Sequence, residues 1–303
     1  MLLSICIPCY KRINEVRNTL NSIYSLNADV SIEDYQVVIS DNDPEGEIEQ
    51  LLQEFPYKNL KYFKTKCEGF MNSFHVLTYA DGEFLKLHNS QSMFREGSIR
   101  AILDDIRKAY DNHDCIFYTN GMLNKLDVSK FNDYNEYLTS LSYWSSWSNG
   151  FCIWKEDLIK IQNIELNKLF PHTSLFLAIP QKDHYYIDDR YLFDVQRIPK
   201  RGGHNKFAAF TIDYPSLIHN QFKQGLIEKK TYKTILNGIM MEMLPNLLFN
   251  KYIARIECFS IDNYKENIRL FFPQYAYYLS FLLSPFVPLT KLKNRLCRVL
   301  KAK

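Results

Sequence analysis

Several stretches of the chain set together residue types that can do chemistry. Lys200-Arg201-Gly202-Gly203-His204-Asn205-Lys206 places two glycines among three cations and a histidine. Glycines let a backbone approach a ligand closely, and the cations would hold an anion; an ordinary solvated basic loop has the same composition. Tyr143-Trp144-Ser145-Ser146-Trp147-Ser148-Asn149 offers aromatic faces for sugar C–H faces, beside hydroxyls and an amide for sugar hydroxyls. Two tryptophans packed in a core would read alike. Cys6-Ile7-Pro8-Cys9 imitates a redox C-x-x-C pair. That chemistry needs a helix N-terminus to lower a thiol pKa. Here Leu2 to Ile7 reads as a strand, and the next apolar-periodic segment begins only at Ile13, so a redox role is not expected.

These residues must be positioned by elements, and the first 120 residues alternate strands with helices. Ile13, Val16, Leu20, Ile23 and Leu26 recur at helical steps. Tyr35 to Ser40 is an apolar run closed by Asp41-Asn42-Asp43-Pro44-Glu45-Gly46, a cluster of turn formers. Ile48 to Phe55 suggests a helix, Leu60 to Phe63 a strand, Phe70 to Ala80 a helix and Phe84 to Leu87 a strand. Ile99 to Ala109 then reads as a helix and Cys115 to Tyr118 as a buried strand. Strands separated by helical patterns imply a mostly parallel, doubly wound α/β sheet. Ligands of such sheets bind beyond the carboxyl ends of the strands, which selects the loops 8–12, 40–46, 65–72 and 88–92. Residues 121–215 loosen into aromatic-rich loops, and helical spacing returns from Ile218. The expected organisation is therefore a ligand-binding domain over 1–215 and a helical C-terminal region over 216–303.

The 303 residues are 46% hydrophobic with only 10 Gly and 11 Pro, which excludes a disordered or fibrous chain. Aromatics reach 15%, a level that fits carbohydrate handling or membrane contact and that an A+T-rich genome also produces. The net charge of +3 conceals an asymmetry: Lys291, Lys293, Arg295, Arg298, Lys301 and Lys303 lie in a stretch without acids, leaving residues 1–288 at −3. A mildly acidic body is not a nucleic-acid binder. Seven scattered cysteines imply no disulfide framework and a reducing compartment. No signal peptide or membrane span is expected: Met1 to Ile7 lacks a basic n-region, and Tyr275 to Leu289 is interrupted by Pro285 and Pro288.

Three ordered motifs carry a resemblance. Ser4-Ile5-Cys6-Ile7-Pro8-Cys9-Tyr10 before a helix, Val37-Val38-Ile39-Ser40-Asp41-Asn42, and Gly69-Phe70-x-Asn72 with Ala80-x-Gly82-Glu83-Phe84 resemble the opening of inverting family 2 glycosyltransferases. The resemblance spans roughly residues 1–215 and is strongest to residue 100. It implies a GT-A-like fold, a mostly parallel twisted sheet flanked by helices. It also implies transfer of a sugar from a nucleotide-diphosphate donor, a UDP sugar being favoured, to an acceptor hydroxyl with inversion. By position, Pro8, Tyr10 and Arg12 would border the base and ribose. Asp41 would accept the N–H edge of uracil or guanine; a turn-forming role for Asp41, and simple strand termination for Pro8, are the alternatives.

The family pattern then breaks. Where family members carry D-x-D or D-D-D for Mn²⁺ or Mg²⁺, this chain reads Phe84-Leu85-Lys86-Leu87-His88-Asn89-Ser90-Gln91-Ser92. Amides and hydroxyls are poor ligands for a hard divalent cation. No metal site is therefore expected and no cofactor is required, with at most a weak Mn²⁺ or Mg²⁺ dependence. Asn89 and Gln91 remain as donor-site residues. The leaving diphosphate still needs its charge stabilised, and Lys200, Arg201, His204 and Lys86 are the candidates for that task. Family members place an acidic base 20–30 residues after a landmark that Asn149-Gly150-Phe151 resembles. Here the slot holds Phe170-Pro171-His172-Thr173-Ser174, so His172 is the expected base unless it only caps a helix. Asp183, Asp188 and Asp189 are the fallbacks, with Asp188-Asp189-Arg190 read first as a charge network. Trp144 and Trp147 would line an acceptor subsite.

Leu289, Leu292, Leu296, Val299 and Leu300 recur at helical steps among cations, following aromatic residues from Tyr277 to Phe286. This reads as an interfacial basic helix, the alternative being an oligomer contact or packing on the body. A lipid-linked acceptor, as in bacterial surface-polysaccharide assembly (capsule or lipopolysaccharide), would match such an address. The expected location is cytoplasmic, peripheral at the inner face of the membrane. The competing reading of the whole chain is a degenerate, non-catalytic relative serving as a scaffold or regulatory subunit.

Overall fold

A computed structural model describes residues 1–196, 198, 202–289 and 292. Among the described residues, ten strands form three sheets: β1 (Leu3–Cys9), β2 (Tyr35–Asp41), β3 (Leu60–Lys64), β4 (Phe84–Leu87), β5 (Ser92–Phe94), β6 (Cys115–Tyr118), β7 (Val128–Phe131), β8 (Cys152–Trp154), β9 (Tyr185–Asp188) and β10 (Phe193–Val195). The central sheet has the order β3-β2-β1-β4-β8. Its first four strands are parallel, and β8 runs antiparallel along β4. The architecture is the expected mixed α/β, with a mostly parallel sheet flanked by helices and a helical C-terminal region.

The strand order makes β1 the switch point. The chain leaves β1 towards β2 and β3 on one side, then crosses to β4 on the other, and the crevice at such a reversal is where open α/β sheets bind ligands. β1 can occupy the centre because both of its faces are buried: Leu3, Ile5, Ile7 and Cys9 point into the main core, with Ser4 and Cys6 fully buried behind them. The helix Ile13–Tyr24 seals that core with Val16, Leu20 and Ile23, as the periodicity predicts, and the helix Ser98–Ala109 adds Ile99, Ile102, Leu103 and Ile106. Gly82 fits the turn into β4 because a Cβ there would lie 2.4 Å from Ser4 Oγ and 2.9 Å from the Leu3 carbonyl carbon. Its N–H instead donates to Ser4 Oγ at 2.9 Å.

The sequence reading ends β1 at Ile7, but pairing runs on to Cys9↔Asp41. Cys6 and Cys9 therefore lie inside the strand, and burial raises both thiol pKa values. That geometry removes the redox alternative.

Two compact units result. The first comprises residues 1–123, 127–133 and 147–196, with all three sheets; the second comprises 124–126, 134–146 and 197–303 and is helical. In the second, continuous helix carries π turns at Ala209–Asp213 and Ile239–Met243. Each ends two residues before a proline, Pro215 or Pro245. A proline lacks an N–H and crowds the carbonyl four residues back, and the wider turn relieves both problems. Among the described residues, no helix is long and apolar enough to cross a membrane.

Candidate functional site

Asp41 ends β2 at the switch point and is fully buried. Its Oδ1 accepts the Asp43 N–H at 2.9 Å, and its Oδ2 accepts the Tyr62 hydroxyl at 2.9 Å. The Asx bond to Asp43 is the turn role that the sequence allowed; the bond from Tyr62 is additional and fixes the carboxylate plane. Burial, then the hydrogen bond to Asp41, raises the Tyr62 pKa, so the phenol stays a donor. Register places Lys64 opposite Asp41, with Nζ 3.9 Å from Oδ2 and donating to the Asp43 carbonyl. Asn72, at the start of the helix Asn72–Thr78, ties the strand ends together. Its Nδ2 donates to the carbonyls of Cys9 at 3.1 Å and Ser40 at 2.8 Å, and its Oδ1 accepts the Ser40 hydroxyl at 2.6 Å.

Across the crevice stands the loop after β4. Asn149 organises it from 60 residues away: Oδ1 accepts the Asn89 N–H at 2.7 Å and Nδ2 donates to Ser92 Oγ at 3.2 Å. Asn89 Oδ1 accepts the Ser148 hydroxyl at 3.0 Å. Gly150 follows, and a Cβ there would meet the Phe117 ring at 2.3 Å, so only glycine lets this turn reach the loop. Arg12 reaches over from the end of β1, its Nη1 donating to Gln91 Oε1 at 3.2 Å. Lys11 and Arg12 both hold left-handed backbone, at φ 58° and 68°. Consecutive non-glycine residues in that region are costly and must be held by their surroundings. Tyr10 is exposed beside them, and Pro8 is half-buried opposite Ser40.

The loop does not fit a divalent cation. Gln91 Oε1 faces a guanidinium, Asn89 Oδ1 a hydroxyl, and His88 Nε2 lies 2.7 Å from the Ser92 carbonyl. His88 is fully buried, stacked on Phe94 with ring centroids 4.1 Å apart. Burial and then the nearby Lys86 charge depress its pKa well below the ordinary value. Among the described residues, no three His, Cys, Asp or Glu side chains are grouped to hold a metal.

The remaining sequence candidates separate. Lys86 is fully buried beneath the loop, its Nζ donating to the carbonyls of Asn149 at 2.8 Å and Leu87 at 3.1 Å and lying over the Tyr118 and Phe193 rings. It supports the loop from below and has no exposed face to offer a donor. His172 is buried in the first turn of the helix Pro171–Ala178, which Pro171 opens with a ready-made first turn. Its ring lies 6.5 Å from that of Phe151, whose carbonyl accepts the Leu87 N–H at the end of β4. Asp183 is exposed before the amino end of β9. Asp189 is buried, its Oδ1 accepting from the Thr119 hydroxyl at 2.6 Å and the Leu123 N–H at 3.0 Å. The expected charge network forms from Asp188, Arg190 and Asp105 instead, with Arg190 Nη2 2.6 Å from Asp188 and 2.5 Å from Asp105. Trp147 packs against the sheet core beside Phe193, whereas Trp144 lies beside Tyr143 in the helical unit. Lys200 and Arg201 lie outside the described residues. His204 belongs to the helical unit, edge-on to Phe259.

Sequence reasoning missed Lys64, Tyr62 and Asn149. Register alone selects the first two, and a contact 60 residues distant selects the third.

With this geometry established, the relatives can be set beside it. Residues 4–154 match the family profile Glycosyl transferase family 2. No curated protein sequence shows a significant match. Among solved structures, S. aureus TarS 1–349 is similar at TM-score 0.60 and 15% identity, covering 98% of this chain and 89% of that one. The same TarS segment with UDP-GlcNAc gives 0.57 and 16%, over 98% and 89%. The mannosyltransferase PcManGT from Pyrobaculum calidifontis, solved with GDP-Man and Mn²⁺, gives 0.53 and 12%, over 94% and 87%. At these identities the likeness is one of fold, and it is GT-A-like.

Proposed function

We propose that this chain is an inverting glycosyltransferase that moves a sugar from a nucleotide-diphosphate donor to a glycan or lipid-linked acceptor without a divalent metal. Its place would be surface-polysaccharide assembly, of capsule or lipopolysaccharide type, at the cytoplasmic face of the membrane. The observation that carries the reading is the pairing, at one switch point, of a fixed carboxylate with a carboxylate-free loop to which an arginine is bonded. Asp41, fully buried with the Tyr62 hydroxyl on its Oδ2, accepts the imide N–H of the base once that hydroxyl turns aside; a uridine donor is favoured, in keeping with the complex of UDP-GlcNAc with TarS. Arg12, held by Gln91 and by its constrained backbone, supplies the positive charge for the diphosphate, and Lys64 adds a second cation beside Asp41. Such fixed donors need no reorganisation as the leaving group gains charge.

His172 takes the acceptor proton while the acceptor oxygen bonds to the anomeric carbon. The bond from that carbon to the diphosphate oxygen breaks, and the electron pair leaves with the nucleotide. The proposal prefers His172 to Asp189, whose Oδ1 already accepts two hydrogen bonds, and to Asp183, which lies at the amino end of its strand. Trp147 remains the acceptor-stacking candidate within the sheet unit.

Arg12→Ala and Asp41→Ala test the assignment through donor affinity and turnover. Each variant is expected to weaken nucleotide binding by about tenfold to a hundredfold, the range for hydrogen bonds to charged groups. Arg12→Ala should also lower kcat, because its charge matters most in the transition state. Unchanged affinity in both variants would overturn the site assignment, whereas no nucleotide binding by the parent would favour the scaffold reading.

A further inference from the structure

The helix Tyr275–Leu283 is apolar on the wrong side. Its inward face is made of small or modest residues: Ala276 and Ser280 are fully buried, and Ser284 and Val287 continue that line as buried residues. Its outward face is large and apolar. Tyr275, Tyr278 and Leu282 follow one another at three- and four-residue steps, and Phe286 and Leu289 are exposed beyond the helix at the same spacing, with Tyr278 62%, Leu282 66% and Leu289 62% exposed. A helix that folds only onto its own domain shows the opposite pattern.

The surface is wider than one helix. Tyr252 is exposed beside Phe281, with ring centroids 6.5 Å apart, and Ile253 and Ile256 are exposed near it in sequence. Contiguous apolar surface of this kind marks an interaction site rather than a solvated face. Charge then selects the partner. Residues 270–290 carry no charged side chain, the next thirteen residues hold six cations and no acid, and Lys265 lies 5.7 Å from the Tyr278 ring centre. Tyrosines beside leucines, followed in sequence by a stretch whose only charges are positive, match the polar–apolar boundary of an anionic bilayer. A self-associating helix would instead pair its flanking cations with acids.

We infer that this face of the helical unit, centred on Tyr278 and Leu282, docks on an anionic phospholipid surface, with the basic stretch 291–303 supplying the electrostatic attraction. The inference rests on the membrane address proposed above but not on the donor site, so failure of nucleotide binding would leave it standing.

The test is flotation of the full chain with phosphatidylcholine vesicles, with and without phosphatidylglycerol, at low and high salt. Binding is expected only with phosphatidylglycerol and should weaken with salt. The double variant Tyr278→Ser, Leu282→Ser should bind about tenfold more weakly or worse while melting as the parent does, since both side chains are exposed. Failure of the parent to bind, equal binding to neutral vesicles, or full binding by the double variant would each overturn the inference. So would a dimer in solution that the double variant converts to a monomer while vesicles capture neither.

Discussion

A buried lysine with no carboxylate in contact is the residue whose energetics can be measured most directly. Burial lowers the pKa of Lys86 to about 8, although Cys152, Cys6 and Asp188 each favour the charged form. In the unfolded chain the amine titrates near ~10.4. Between those values the unfolded state holds a proton that the folded state lacks, so stability rises with pH across that window. Below about pH 8 both states are protonated, and folding carries the whole desolvation cost, about 3 kcal/mol. Lys86→Met removes the titration along with two hydrogen bonds to the loop. Denaturant unfolding of parent and variant at pH 7 and 10 is expected to show the parent gaining relative to the variant at the higher pH. A constant difference would show that Lys86 does not lose its proton on folding.

At the scale of elements, two residues hold the strand ends to the site. Gly82→Ala forces a methyl group against the β1 backbone and Ser4, and a clash with backbone cannot relax cheaply. A loss of about 1–3 kcal/mol is expected, seen as a lower melting temperature with donor affinity preserved in whatever remains folded. Asn72→Ala acts differently, because it unties the carboxyl ends of β1 and β2. Its signature is weaker donor binding out of proportion to the loss of stability, measured by calorimetry beside a melt; equal losses would make Asn72 merely structural.

Strands β1 to β4 and β6 were legible because continuous apolar runs between turn formers leave few alternatives, and the place of Asp41 at the end of one of them was legible with it. Strands β5 and β7 to β10 are only three or four residues long and escaped notice in stretches read as loops. Register was not legible, which is why Lys64 and Tyr62 escaped notice. Nor could pleat alternation reveal that Lys86 points into the core with Phe84, since a lysine in an otherwise apolar strand normally argues for an exposed face. Asn149 was read as a landmark, whereas its side chain builds the loop that replaces the acidic motif. Trp144 and Trp147 lie three residues apart in sequence yet fall in different compact units, because the chain passes between the units there.

For the whole molecule, charge placement decides whether a donor can bind. Arg12 is bonded to the carboxylate-free loop after β4 and Lys64 stands beside Asp41, and in the proposed reading these cations hold the diphosphate without a metal. Calorimetric titration with UDP, GDP, dTDP and CDP, first in EDTA and then with Mn²⁺, tests that directly. The account predicts saturable binding of one nucleotide in EDTA, UDP being favoured, with an affinity that Mn²⁺ leaves essentially unchanged. Binding that appears only with Mn²⁺, or no binding in either condition, would contradict it.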